Sequence, residues 1–375
     1  PREPAAPRAV PLTWTMPYAP IFLSRTRVSS LSYPGVWDDA GVRFANLTLT
    51  THRFPGLAVT GAALFALSAC SSSSLPTLSG FDAVRDQAAR TESAASDRAT
   101  QLAEVATDCA SCSAALRAVA SASGERLEVL GGLWDPWGGS TPEGASAPAA
   151  VSEAPTDVSA FVSWLARTAI RDLEIAADTN RTSSEEARTL SAAALGRYAS
   201  AVTLAQAYGI ELDAGMDQAL LINDRVNAAS RQGVQTWSID LFDAPTLTSS
   251  FAPSGKNLAA SQELSTAVAT WDCTASTLPK AQVSAGTVTD AYAVSGELLV
   301  RADVALRAGA ADVRTPRCDL GFLDAPSLAA NLLAADAAML TSDAAEVRAA
   351  GASAAMADIE QWAPRTTLPA LIGTR

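Results

Sequence analysis

The sequence predicts an all-α protein built as one helix bundle or two packed bundles, with about nine helices in all. Two observations carry this expectation. Apolar residues recur at spacings of three and four through most of residues 79–375, with almost no alternating runs of strand type. Capping signals and terminating glycines also punctuate those runs at intervals suited to helices joined by short loops.

The first helix runs from Phe81 to Val105, with a sparse apolar stripe at Phe81, Val84, Ala88, Ala95, Leu102 and Val105. Cys112–Leu130 forms a second, stopped by Gly131-Gly132. A third is capped by Asp157 and carries Val158, Phe161, Leu165, Ala169, Leu173 and Ala176 on one face, with Arg167, Arg171, Glu174 and Asp178 opposite. Thr182-Ser183-Ser184-Glu185-Glu186 holds two overlapping capping boxes, Thr182 with Glu185 or Ser183 with Glu186. The helix they start ends at Gly209. Further helices are expected at Asp213–Ser230, Leu258–Trp271, Val288–Gly309, Asp324–Leu340 and Asp343–Trp362. Within Val288–Gly309 the residues Val288, Tyr292, Ser295, Leu299, Ala302, Leu306 and Gly309 alternate steps of four and three, which predicts a packing seam. The break at 240–257, with Pro245, Pro253 and Gly255, divides a first bundle at 79–240 from a second at 255–375.

Upstream of the helices, Leu57–Ala69 is an uncharged run of 13 residues ending in Leu67-Ser68-Ala69-Cys70. A membrane-spanning helix needs roughly 18–20 such residues, whereas the apolar core of a secretory signal is shorter. Residues 51–69 therefore read as a lipoprotein signal peptide and 70–78 as a lipidated cysteine with a serine-rich tether. The lipobox is Leu67, Ser68 and Ala69, and Cys70 would carry the diacylglyceryl group. Two acyl chains anchor a protein stably without a transmembrane helix. Residues 1–50 lack any sustained period and read as upstream sequence or an over-extended start.

The chain carries a net charge of −12. Six of its 27 basic and three of its 39 acidic residues precede Cys70, leaving 21 and 36, a balance of −15. That balance argues against nucleic acid as a partner, which demands a basic patch. The single histidine, His52, lies in the leader. The part after Cys70 thus has no histidine for a catalytic triad, for general acid–base work or for holding zinc, iron or haem. No metal and no cofactor is expected.

Four cysteines remain beyond Cys70, namely Cys109, Cys112, Cys273 and Cys318. An even number in an exported chain favours two disulfides, which four cysteines can form in three ways. The pairing Cys109–Cys112 with Cys273–Cys318 is preferred because each pair is adjacent in order. Cys109-Ala-Ser-Cys112 is also a CxxC, but without the preceding strand of a thioredoxin-like unit it reads first as a structural disulfide. Trp134, Asp135 and Trp137 place two indoles and a carboxylate on a turn. Such a loop either stacks a sugar or peptide, or plugs the end of a bundle. No GxSxG, P-loop or dinucleotide fingerprint is present.

The lipobox, the Ala-rich helices, the run Leu130-Gly131-Gly132-Leu133-Trp134 and the tail Leu368-Pro369-Ala370-Leu371-Ile372-Gly373 together resemble actinobacterial lipoproteins with a ferritin-like helical domain. The resemblance implies a ferritin-like helical domain. A di-iron bundle needs Glu-x-x-His twice, so a ferritin-like domain here is expected to be metal-free, with its acidic residues in surface pairs. Arg171 with Glu174, Glu297 with Arg301 and Asp303 with Arg307 have the spacing of such pairs.

The functional expectation is a membrane-anchored, exported, non-enzymatic binding or scaffold module of the cell envelope, partnered by an envelope protein or a small ligand. Two alternatives stay open: a solute-binding lipoprotein of a transport system, which would show strands around a cleft, and a carboxylate-based hydrolase, which would show two carboxylates in a deep pocket.

Overall fold

Helix signals in the sequence become helices wherever the computed structural model describes the chain. It describes residues 78–374 except 144, 146–148, 213–257, 286–289, 319, 322 and 323. The leader, the lipobox Leu67-Ser68-Ala69, Cys70, most of the serine tether, the expected helix at 213–230 and the break at 240–257 lie outside the described residues. Eight α-helices and no strand occur among those described.

Helix α1 spans Gly80–Val105 and α2 spans Ala110–Val129, closed by Gly131 and Gly132 at φ +86° and +75°. Helix α3, Val158–Ala177, starts where the Asp157 side chain accepts the Ala160 N–H at 2.9 Å. Of the two overlapping capping boxes, the chain uses Ser183 with Glu186 to start α4, Ser184–Tyr208, which ends on left-handed Gly209. A 3₁₀ turn at Leu258–Ala260 precedes α5, Gln262–Ala285. Helices α6, Ala291–Arg307, α7, Ala325–Met339, and α8, Ala345–Trp362, complete the order.

Two expectations are corrected. The helix expected to end at Trp271 continues to Ala285, through Pro279. Proline removes the N–H that would bond the Ala275 carbonyl. The Ser295 hydroxyl of α6 donates to that carbonyl instead, at 2.8 Å. The expected seam on α6 is also out of register. Ser295 and Ala302 are buried, but Tyr292 and Leu299 are 71% and 48% exposed. Ala291, Val294, Leu298, Arg301 and Ala305 fill the inner face. A step pattern fixes a face, but the partners across the interface decide which of two adjacent stripes is buried.

Helices α1–α4 pack around one apolar core, with Leu116, Phe161, Leu165, Leu173 and Leu195 fully buried. Helices α5–α8 pack around a second, with Leu264, Trp271, Leu328, Leu332 and Trp362. The cores meet along α8. Its Ala349, Ala352, Ala355, Met356 and Ile359 belong to the first core, and its Val347, Ala350, Ala354 and Trp362 to the second. Helix α4 is likewise buried on every side from Leu190 to Val202.

Small residues make this possible. A Cβ at Gly351 of α8 would lie 2.6 Å from Met339 Cβ and 2.8 Å from the Asp336 carbonyl. At Gly196 of α4 it would lie 1.8 Å from the carbonyl oxygen of Ala370, in the C-terminal segment. That segment crosses the first bundle. The Ile372 N–H donates to the Ala192 carbonyl at 3.3 Å, and Ile372 is buried. A second tie joins the bundles where Arg348 of α8 donates to the Ala176 and Thr182 carbonyls at 3.0 and 3.1 Å, binding the end of α3.

The notch at Gly196 predicts that Gly196→Ala displaces residues 368–373. Overpacking of this kind costs about 1–3 kcal/mol. The measurement is a denaturant midpoint together with limited proteolysis of the C terminus. An unshifted midpoint and an equally protected tail would show that the segment is not held in the notch.

Candidate functional site

Each bundle carries a charged cluster at its centre, to which every one of its four helices contributes. In the first, Glu92 of α1 receives both neighbours. Arg126 of α2 reaches its Oε2 at 2.9 Å, and Arg197 of α4 reaches its Oε1 at 2.7 Å. Arg197 extends the chain to Asp172 of α3 at 2.8 Å, and Arg171 closes it on Asp172 at 2.7 Å. Glu92, Arg126 and Arg197 are wholly inaccessible, and Arg171 stands at the rim. Hydroxyls take up the remaining donors of Arg126, Ser123 at 2.9 Å and Ser200 at 3.3 Å, and the Ala370 carbonyl of the C-terminal segment lies at 3.4 Å. Burial lowers the pKa of Arg126, against the pull of Glu92. At Arg197 burial acts in the same sense, but Glu92 and Asp172 outweigh it and the guanidinium is held charged.

In the second bundle the counts do not balance. Arg301 of α6 makes a two-pronged ion pair with Asp358 of α8, both contacts at 3.0 Å, and lies over the Trp271 ring at 5.4 Å. Trp271 of α5 donates its indole N–H to Asp336 Oδ1 of α7 at 2.8 Å. Two carboxyl groups thus face one guanidinium, and Asp336 is fully buried. Desolvation first, and the negative charge of Asp358 second, push the Asp336 carboxyl well above its ordinary range. The side-chain approach of Asp358 acts in the same sense, against the opposing pull of Arg301 and the Trp271 N–H. Between the bundles the Tyr198 hydroxyl donates a short hydrogen bond to Glu360, and burial raises the pKa of both groups.

These clusters correct the expectation that the acidic residues lie in surface pairs. Asp303–Arg307 is such a pair, with both side chains more than half exposed. Arg301 instead turns inward to Asp358, and Glu92, Asp172, Asp336 and Asp358 are buried. A signal was present in the sequence. The residues three and four positions either side of Asp336 are Leu332, Leu333, Met339 and Leu340, so this carboxylate sits in phase with the apolar stripe. Around Arg197 the same positions are Ala193, Ala194, Ser200 and Ala201. A charge with no charged neighbour at helical spacing, set inside an apolar stripe, must find its partner on another helix.

The cysteines approach as the preferred pairing has them. Cys109 and Cys112 have Cα atoms 5.2 Å apart, and Cys273 and Cys318 5.3 Å apart, both within disulfide reach. The two bonds differ in weight. Closing a three-residue separation stabilises by about 2 kcal/mol and a forty-five-residue one by about 4 kcal/mol in the chain-entropy account. The second is therefore the main staple, tying α5 to the segment after α6.

The Trp134–Trp137 loop is pinned to α1, where Asp86 accepts the Trp134 N–H at 2.9 Å. Both indoles are half-buried. The Asp135 carboxylate is occupied in shaping the turn, accepting the N–H of Trp137 at 2.8 Å and that of Gly139 in a short bond. The loop thus brings its three residues together, with the carboxylate turned to its own backbone.

A shallow groove of about 350 Å³ lies between α1 and residues 151–154. Arg98 forms part of its wall, but its donors are spent on the Ala154 carbonyl, Gln101 and Glu153. Among the described residues no group of three His, Cys, Asp or Glu side chains could hold a metal ion, and no helix is long and apolar enough to cross a membrane. Comparison with known proteins finds no matching family model, no matching curated protein and no matching solved structure.

Two predictions follow from the opposite charge balance of the clusters. Arg197→Met leaves Glu92 and Asp172 short of a cation and is expected to cost about 3–5 kcal/mol, read from the denaturant midpoint. A raised folded-state pKa means that the stabilising effect of the Asp336 proton is complete below the ordinary carboxylate pKa and is lost as pH rises toward the folded value. Asp336→Asn keeps a carbonyl for Trp271 and an N–H for Asp358 without needing that proton. Stability of the variant should equal or exceed that of the parent at pH 8 and fall less between pH 5 and pH 8. An unchanged pH slope would place the titrating group elsewhere.

Proposed function

We propose that the chain is an exported, lipid-anchored helical module of the cell envelope that acts as a scaffold or binding domain and not as an enzyme. The observation that carries the reading is the Leu67-Ser68-Ala69-Cys70 sequence after a short apolar run, followed by a serine tether. The bundle cores support the non-enzymatic part. Their buried ionisable groups face one another within the cores, Glu92 and Asp172 toward arginines in the first bundle and Asp358 toward Arg301 in the second.

The likeness to ferritin-like lipoproteins fits four helices that each send one charged or polar group inward. In a metal-binding bundle those groups are carboxylates and histidines around cations. Here Arg126, Arg197 and Arg301 bring the positive charge themselves, which supports a metal-free domain. The transport alternative draws no support from the described residues, which hold no strand, and the groove that Asp97 and Glu153 line is shallow, with Glu153 paired to Arg98 at 3.2 Å, unlike the deep pocket a carboxylate-based hydrolase needs.

Cys70→Ala is expected to abolish acylation and to move the protein from the membrane to the soluble fraction, or to leave its precursor uncleaved. Intact mass and membrane partition measure this. A variant with the parent's mass difference from the unprocessed chain and the parent's partition would overturn the anchor.

A further inference from the structure

The Cys109–Cys112 pair is built differently from a plain staple. Cys109 is the N-cap of α2, a helix of 20 residues, and its Sγ accepts the Cys112 N–H at 3.2 Å. The Ser111 hydroxyl lies 3.4 Å from the same sulfur. Cys109 is partly accessible, and residues 107, 108, 110 and 111 around it are exposed. Cys112 is buried at 4% exposure, its Sγ 3.4 Å from the Ala207 carbonyl oxygen of α4. One sulfur is therefore open to attack at the positive end of a helix, and the other is held behind it.

We propose that Cys109–Cys112 is a thiol–disulfide exchange site, with Cys109 as the attacked sulfur and Cys112 as the leaving one, acting on cysteine pairs of another polypeptide. A thiolate of the substrate attacks Cys109 Sγ, the bond to Cys112 breaks, and Cys112 leaves as a thiolate that takes a proton from solvent. The new thiol then donates to the Ala207 carbonyl. The second substrate thiolate attacks the substrate sulfur of the mixed disulfide, and Cys109 departs as a thiolate. Its leaving is favoured because backbone N–H groups at a helix N-terminus, here that of Cys112, and the adjacent hydroxyl stabilise negative charge on sulfur. Two electrons pass from the substrate dithiol to the protein. Both substrate thiol protons are released, one equivalent being retained on Cys112.

A polypeptide substrate suits the surroundings. The sulfur sits on the turn between α1 and α2, and its neighbours 107, 108, 110 and 111 are exposed among the described residues. Val105, at the α1 end of that turn and 74% exposed, offers an apolar contact beside the cysteine. This exchange chemistry replaces the non-enzymatic part of the proposed function, which rests on the bundle cores, and leaves the anchored location as proposed.

The test uses purified full-length protein equilibrated with glutathione buffers of graded redox poise, then alkylated and mapped by peptide mass. Cys109–Cys112 should open with an equilibrium constant at least about tenfold larger than that of Cys273–Cys318. The two pairs opening together, or Cys109–Cys112 proving the more resistant, would overturn the proposal. A second measurement uses single variants, checked for helix content by circular dichroism, with a synthetic peptide carrying one disulfide. Cys112→Ser should accumulate a mixed disulfide at Cys109, whereas Cys109→Ser should leave Cys112 unreacted. Equal labelling of the two, or none in Cys112→Ser, would also overturn it. Neither measurement reads cellular location, so this inference and the anchor can fail separately.

Discussion

Everything in this structure depends on helix α8 being narrow. A helix packed in one bundle hides one stripe and shows the rest to water. Helix α8 has to serve two cores at once, and its Ala349-Ala350-Gly351-Ala352-Ser353-Ala354-Ala355 run supplies a surface with almost no side-chain depth. Each alanine gives up burial area that a leucine would have provided. The return is that two bundles approach the same backbone, and larger residues can fill the space from the far side, as Met339 does over Gly351. Helix α4 follows the same rule at Gly196. A chain of this composition gains its apolar burial less from large side chains than from the closeness of its backbones.

Close approach also sets the terms for the charged clusters. A guanidinium such as Arg197 reaches carboxylates on two neighbouring helices only because the helix axes lie near one another. Buried ion pairs seldom add stability over an apolar replacement of equal volume, since desolvation offsets the attraction. What they restrict is arrangement: an alanine face accepts many rotations and shifts of its neighbour, whereas Glu92 between Arg126 and Arg197 accepts very few. The two bundles solve the charge problem in different ways. The first alternates signs from Arg126 to Arg171 and needs no proton. The second has one cation for two carboxyls, and burial beside Asp358 pushes Asp336 toward its neutral form.

The fold was largely legible because its signals are local. The Ser183–Glu186 box, the Asp157 cap and the Gly209 stop each depend on residues within a few positions, and the structure uses all three. The stripe on α3 is likewise buried from Phe161 to Ala176. What failed was non-local. Tyr292 and Leu299 belong to a regular heptad pattern, yet they are exposed, while Arg301 on the adjacent stripe turns inward to Asp358. Glu297 lies four residues before Arg301 and makes a plausible surface partner in sequence. The true partner is 57 residues away. The clusters were hidden for the same reason, since Arg197 and Glu92 are separated by 105 residues.

The C-terminal segment has a bearing on the order in which the protein is made. Arg126 contacts the Ala370 carbonyl across 244 residues, and the notch at Gly196 is filled by that same carbonyl. The first bundle is synthesised before the segment that forms part of its outer wall. Helices α1–α4 can gather and pair their charges while the seam over Arg126 stays open, and that seam closes only once residues 368–373 have been made. A premature stop just before residue 368 would delete a wall of the core, and the fault would appear far from the break, in the half of the protein already built.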